Sequence, residues 1–289
     1  MSHYQSALEA TEEHLLALKS SGVRFLNVQA ETLFDLQQPA PEQLGNSENH
    51  ESGIEKQKVA EIQQHQAPPT SAAPPAEAVS LREKKEAAMA ELRGRALACL
   101  KCPHLAKARQ KVVFGVGDIH ARLMFVGEAP GADEDAQGEP FVGAAGQLLT
   151  RIIKAMGFSR ETVYIANILK CRPDTPGQTA GNRKPTPEEM KTCLPYLLAQ
   201  IDLIQPRVLV ALGATAMEGL LGKDEGIGKL RGHFQMFRDI PLMPTFHPAY
   251  LLRNQAMREK RKVWEDMLQV LEKLGAEISE KQRGFFLQR

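Results

Sequence analysis

The chain has 289 residues, 43% of them hydrophobic and 25% charged, enough to bury one core of about 150 to 200 residues with chain left over. Its 36 Lys and Arg stand against 35 Asp and Glu, which argues against a polycationic coat protein, and its four cysteines are too few for a secreted disulfide scaffold. No apolar N-terminal run resembles a signal peptide and no stretch approaches the ~18 to 20 apolar residues that cross a bilayer, so a cytoplasmic protein without membrane contact is expected.

The near-neutral sum hides a split: residues 1–98 carry 9 Lys/Arg and 14 Asp/Glu, residues 99–289 carry 27 and 21. Apolar residues at helical spacing (Leu8, Leu15, Leu16, Leu18) predict a helix from Tyr4 to Lys19, stopped by Gly22. Residues 1–36 therefore read as a helical segment, docked weakly or offered to a protein partner. Residues 37–80, rich in Gln, Glu, Pro, Ala and Ser, bury too little apolar surface to offset ordering entropy and read as a disordered linker.

Residues 81–289 form the third region. A charged amphipathic helix over Leu81–Ala98 delivers Cys99, and short apolar runs then alternate with helical stretches. Strands are expected at Leu123–Val126, Val163–Leu169, Val208–Leu212, Phe234–Phe237 and Leu242–Phe246. Helices are expected at Gly146–Met156, Pro187–Ile204, Ala214–Leu221 and from Gln255 to about Leu274. That alternation implies a mostly parallel sheet covered on both faces, with ligands bound beyond the carboxyl ends of its strands.

Three motifs fall at those ends. Gly127-Glu128-Ala129-Pro130-Gly131 follows the first strand and leads to Pro140-Phe141-Val142-Gly143. Glycines there let a ligand approach the backbone, and Phe141 offers a stacking face for a base. Neither a Walker lysine nor a GxGxxG spacing is present, so a mononucleotide-binding enzyme is poorly supported. Asn167, followed by Lys170-Cys171-Arg172-Pro173, carries donor and acceptor on one side chain, which suits a pyrimidine edge. His247-Pro248-Ala249-Tyr250-Leu251-Leu252-Arg253 joins a hydrogen-bond donor to an apolar wedge and a phosphate contact. Cys99-x2-Cys102 is a chelating pair to which Cys171 and Cys193 add two thiolates. Four sulfurs suit a [4Fe-4S] cluster or structural zinc, and spacing does not choose between them.

Together these motifs resemble the family 4 uracil-DNA glycosylases, the iron-sulfur branch of their superfamily, over about residues 85–275 and in the family's order. The first 80 residues lie outside the resemblance, and Asp174–Gly181 looks like a short insertion. The resemblance implies a three-layer α/β/α domain around a mostly parallel four-stranded sheet. It also implies a monomeric enzyme that hydrolyses the N-glycosidic bond of flipped-out uracil in DNA, single- or double-stranded, and leaves an abasic site. On that reading Phe141 stacks on the uracil, Asn167 reads its polar edge and Gly127 lines the pocket. Leu251 and Leu252 fill the vacated space and Arg253 meets phosphate. His247 donates to the developing oxyanion at O2, and Glu128 positions water or stabilises the cationic sugar, because Ala129 stands where the best-known branch has an aspartate. The resemblance also selects [4Fe-4S] over zinc for Cys99, Cys102, Cys171 and Cys193, in a structural role. A second reading, a protein that binds or traps uracil-DNA without turnover, fits a related branch with glutamine at the place of Ala129 and a histidine-bearing basic insertion. Asp174–Pro185 contains no histidine, which favours turnover.

Overall fold

Four short runs, mainly apolar and buried over all but the first two residues of one of them, decide the architecture. In the computed structural model, residues 76–173, 183–223 and 225–287 are described; the expected N-terminal helix, nearly all of the linker and the insertion Asp174–Gly181 lie outside the described residues. The elements in chain order are α1 (Ala76–Leu97), α2 (Pro103–Ala108), β1 (Val116–Gly117), β2 (Leu123–Gly127), α3 (Ala132–Gln137), α4 (Ala144–Ala155), β3 (Tyr164–Asn167) and α5 (Pro187–Ile204). They continue as β4 (Val208–Leu212), α6 (Ala214–Leu221), α7 (Ile227–Leu230), β5 (Gln235–Phe237), β6 (Ile240–Thr245), α8 (Pro248–Arg253), α9 (Met257–Leu274) and α10 (Glu280–Arg283).

The strands form one six-stranded sheet in the order β1-β3-β2-β4-β6-β5. Its four central strands are parallel, as expected; β1 and β5 add short antiparallel edges. Side chains alternate between faces with the period of two that strands impose. Met124, Val126, Tyr164, Ala166, Leu209 and Ala211 pack towards α1, α5 and α6. Leu123, Phe125, Ile165, Val208 and Val210 pack towards α4 and α9. Two apolar cores, one on each face, make the three layers. Each fully buried large apolar side chain in them contributes about 1.5–3 kcal/mol.

Local signals explain the element ends. Thr186 caps α5, accepting from the amide of Glu189 at 3.2 Å, while Glu189 Oε2 accepts from the amide of Thr186 at 2.8 Å; Pro187 occupies the first turn, where its missing N–H is harmless. Along α9, Val263, Trp264, Met267, Val270, Leu271 and Leu274 form one buried stripe, and Gly275 in the left-handed region ends the helix. Helix α1 begins at Ala76, inside the stretch expected to be linker: after Pro75, Ala and Glu favour helix and Pro no longer interrupts it. Among the described residues no helix is long and apolar enough to cross a membrane.

The register places the chemistry. Gly127 at the end of β2 pairs with Asn167 at the end of β3, and Leu212 pairs with Thr245 two residues before His247. All three motifs therefore converge at one edge of the sheet, at the carboxyl ends of its parallel strands.

Candidate active site

Beyond those strand ends lies a cavity lined by Ala129, Gly131, Glu134, Phe141, Ala145, Asn167, His247 and Ala249. Asn167 is only 2% exposed, and its Oδ1 has no hydrogen-bond partner, alone in this among the buried side-chain polar atoms of the described residues. An orphaned buried acceptor costs about 1–3 kcal/mol, and a ligand N–H is the group that would remove that cost. Gly127 stands directly beside it: a Cβ there would overlap Asn167 Oδ1 and come within 2.5 Å of Phe141 Cζ. The absence of a side chain at position 127 thus lets the amide of Asn167 and the ring of Phe141 close on one point.

Phe141 is 6% exposed and takes a left-handed backbone conformation, φ 56°. Its ring faces that of His247 at 5.7 Å between centroids, tilted by 32°. His247 is the N-cap of α8, and its Nδ1 accepts the amide N–H of Ala249 at 3.2 Å. A neutral imidazole with Nδ1 as acceptor carries its proton on Nε2, so the ring presents Nε2–H as a donor. Removal from bulk water, reinforced by the charge of Arg253 and opposed by Glu134, pushes the pKa of His247 down to about 4. The ring is therefore neutral at pH 7.

The carboxylate that lines the cavity is Glu134, not Glu128. Glu134 Oε2 accepts the amide of Gly131 at 3.0 Å, and Oε1 accepts those of Val142 and Gly143 at 3.0 and 3.1 Å. Nothing in its sequence position pointed to the site; α3, which carries it, has no apolar periodicity to reveal it. Glu128 follows Gly127 half-buried at the strand end, its carbonyl accepting from the amide of Leu169, and its side chain is not part of the cavity wall.

A second concavity is lined by Cys99, Cys102, Cys171 and Cys193 with Leu105, Arg109, Leu169 and Thr192. The four thiols come from the residues after α1, the N-cap of α2, the loop after β3 and the middle of α5. None is in a disulfide. Arg109 donates to Cys171 Sγ at 3.1 Å and to the carbonyl of Cys99 at 2.8 Å, and the amide of Lys170 donates to Cys193 Sγ at 3.2 Å. Burial raises the thiol pKa values of Cys102 and Cys171 and pushes that of Cys193 up to about 11. Thiols so placed ionise when a metal replaces the proton. Among the described residues no three His, Cys, Asp or Glu side chains converge tightly enough to hold a single metal ion.

The family model described as the Uracil DNA glycosylase superfamily matches residues 114–268, more than half of the chain. The chain belongs to that superfamily. Among curated relatives, the type-4 uracil-DNA glycosylase of Thermotoga maritima is 48% identical over 171 residues, covering 58% of this chain and 85% of that protein. The type-4 uracil-DNA glycosylase of Pyrobaculum aerophilum is 45% identical over 168 residues, 55% of this chain and 82% of that protein. The type-5 uracil-DNA glycosylase of Thermus thermophilus is 30% identical over 207 residues, 60% of this chain and 91% of that protein.

In this member of the uracil DNA glycosylase superfamily the remaining expected site residues divide. Gly127, Phe141, Asn167 and His247 meet at one cavity, and the four cysteines meet at another. The segment after His247 does not present both leucines outward: Leu251 is 4% exposed and packs with Phe246 and Val263, Leu252 is half-buried, and Arg253 is exposed. In a helix, neighbours stand about 100° apart, so when one leucine anchors α8 to α9 its neighbour turns away from the core. Both leucines border an apolar groove between α4, α8 and α9, with Leu148, Ile152 and Trp264. That groove contains none of the polar groups gathered at the strand ends.

Proposed function

We propose that this chain is a uracil-DNA glycosylase of the type-4 kind, hydrolysing the N-glycosidic bond of uracil flipped out of DNA and leaving an abasic site. One observation carries the reading: the unpaired, buried Oδ1 of Asn167 at the wall of a cavity shared with Phe141 and a neutral His247. Uracil N3–H is a donor that satisfies Oδ1, and the Asn167 amide N–H can reach O4. Cytosine has no hydrogen on N3 and would leave the acceptor unpaired, a mismatch that discriminates strongly. The base must leave the stack first, at a cost of a few kcal/mol that is smallest for a mismatched or single-stranded uracil.

Phe141 supports the base by its face. As the bond to the sugar lengthens, negative charge collects on uracil O2, where the Nε2–H of His247 donates to it. A fixed neutral donor works here because it needs no reorganisation as the charge develops. Glu134 has both oxygens engaged by amides, which holds its loop; Glu128, at the end of β2 next to the cavity rather than in its wall, is assigned to the attacking water or the cationic sugar. Leu252 and Arg253, the outward part of α8, are assigned to the vacated stack and to phosphate, with Leu251 anchoring them.

The donor set of the second concavity fits a [4Fe-4S] cluster on Cys99, Cys102, Cys171 and Cys193. When bound, the cluster supplies no step of the hydrolysis; it cross-links three separate segments of chain beside β3. Arg109 and the Lys170 amide are placed to stabilise negative sulfur. Protein purified without oxygen is expected to be brown, with broad visible absorption that Cys171→Ser abolishes, and the variant is expected to melt roughly 5 to 15 °C earlier. A colourless wild-type protein containing zinc would overturn the assignment.

The function is tested with oligonucleotides carrying one uracil or one thymine, cleaved by alkali after incubation. Strand scission at uracil only is expected, with repeated turnover; a stable covalent adduct with one equivalent of DNA would instead support trapping without turnover. In the same assay Glu128→Gln slows single-turnover cleavage, and full activity in that variant removes Glu128 from the water's path.

A further inference from the structure

Phe141 is held in a conformation that an aromatic residue does not adopt unaided. At φ 56° the Cβ of an L-residue crowds the following carbonyl, which is why glycine and asparagine dominate this region. The neighbouring peptide groups show what holds it. Arg160, in the turn between α4 and β3, donates from Nη2 to the carbonyl of Pro140 at 2.7 Å and from Nη1 to the carbonyl of Phe141 at 3.0 Å. Glu134 takes the amides of Val142 and Gly143, the first of them in the same peptide group as the Phe141 carbonyl. Two successive carbonyls are thus gripped by a cation and two successive amides by an anion, with Phe141 at the changeover. Gly146 completes the arrangement: a Cβ there would overlap the carbonyl of Phe141, so the first turn of α4 closes against the group that Arg160 holds.

Arg160 does not line the cavity, and no feature of its sequence position links it to the site. We propose that Arg160 is a positioning residue for uracil excision, setting the ring of Phe141 against the flipped base by clamping the carbonyls of Pro140 and Phe141. The guanidinium fork suits the task because it spans two adjacent carbonyls at once, whereas a lysine ammonium is a single point. The proposal rests on the reading of Phe141 as the platform for uracil, and the test separates the two.

Single-turnover excision from a uracil-containing single strand is measured for the wild type, Arg160→Ala, Arg160→Lys, Phe141→Ala and the double variant Phe141→Ala/Arg160→Ala, with the melting temperature and visible spectrum of each. Arg160→Ala is expected to reduce the rate at subsaturating enzyme roughly 10- to 100-fold, the scale of a misplaced binding group. Arg160→Lys should recover only a small part of the loss. The deciding comparison is the double variant: if Arg160 acts through Phe141, removing it after Phe141 changes the rate by less than about 2-fold. A merely structural arginine would slow both backgrounds by the same factor, in step with the melting temperature, and that result overturns the proposal. If Phe141→Ala itself excises uracil at the wild-type rate, the platform reading fails instead. Should Arg160→Ala not fold, Arg160→Lys in the two Phe141 backgrounds gives the same comparison.

Discussion

Replacement of His247 by alanine is expected to slow single-turnover excision of uracil by about 10²- to 10³-fold, the usual effect of deleting one preorganised donor to a developing oxyanion, while uracil-containing DNA still binds with nearly unchanged affinity. The protonation state that the fold imposes on His247 underlies this effect. The bond from the Ala249 amide to Nδ1 puts the proton on Nε2, and the pKa of about 4 keeps the ring neutral from pH 5 upwards. The donor is then present in its working form across the physiological range, and its rate contribution has no inflection near the ordinary histidine value of about 6.5. Below about pH 4 the ring gains a second proton on Nδ1 and the Ala249 bond is lost. Stability carries the matching sign. Between about pH 6.5 and 4 the unfolded chain binds a proton at position 247 that the folded chain does not, so the folded state loses stability as pH falls through that window. His247→Ala should remove this part of the acid sensitivity. Near-wild-type excision by His247→Ala, or a rate profile in which His247 titrates near pH 6.5, would remove the oxyanion role.

The second large effect is expected at a residue with no side chain. In Gly127→Ala the new Cβ would overlap Asn167 Oδ1 and lie 2.5 Å from Phe141 Cζ and 2.7 Å from Cε2. Neither neighbour can yield cheaply, because Asn167 sits in the parallel ladder opposite Gly127 and Phe141 is clamped through its backbone. Displacement of either group spoils both the reading of the uracil edge and the stacking of its ring. A displacement of this size reduces kcat/KM by about 100-fold or more. The backbone at Gly127 is ordinary extended strand, so no backbone strain is added, and the crowding alone is expected to cost about 1–3 kcal/mol, a fall in melting temperature of roughly 2 to 12 °C that leaves the protein folded in the assay. Measured together, unfolding and excision therefore distinguish a filled pocket from a broken fold. Wild-type excision in a well-folded Gly127→Ala protein would mean that uracil does not enter this cavity.

How much of this was legible beforehand differs by element. The bounds of α5, β4 and α6 agree with the sequence reading residue for residue, because each carries its own local stop: Thr186-Pro187 before α5, Gln205-Pro206 after it, Gly213 between β4 and α6, and Gly222 beyond α6. The two-residue strand β1 and the helices α2, α7 and α10, of six, four and four residues, are too short for any periodicity to accumulate. Helix α3 is polar throughout apart from its alanines, and its Asp135 is buried by accepting the amides of Gln110 and Lys111 rather than by apolar packing. A hydrophobic pattern cannot announce a segment held in that way.

The site divides along the same line. Residue types and short spacings reveal chemistry that is local to a few positions: a base-stacking aromatic, an amide suited to a pyrimidine, a histidine at a strand end, and four thiols with none to spare. Through the family resemblance that these residues carry, the superfamily was readable in the amino-acid order, and the cysteines were legible as four candidate thiolate ligands. The pairing of Gly127 with Asn167, the tautomer and neutrality of His247, the inward turn of Leu251, and the service of Glu134 and Arg160 to the Phe141 loop were decided only by the tertiary structure. Each depends on which peptide groups and side chains meet across the sheet edge, and on how much water is left between them. Those quantities arise from contacts between residues far apart in the chain, and no window of sequence contains both partners.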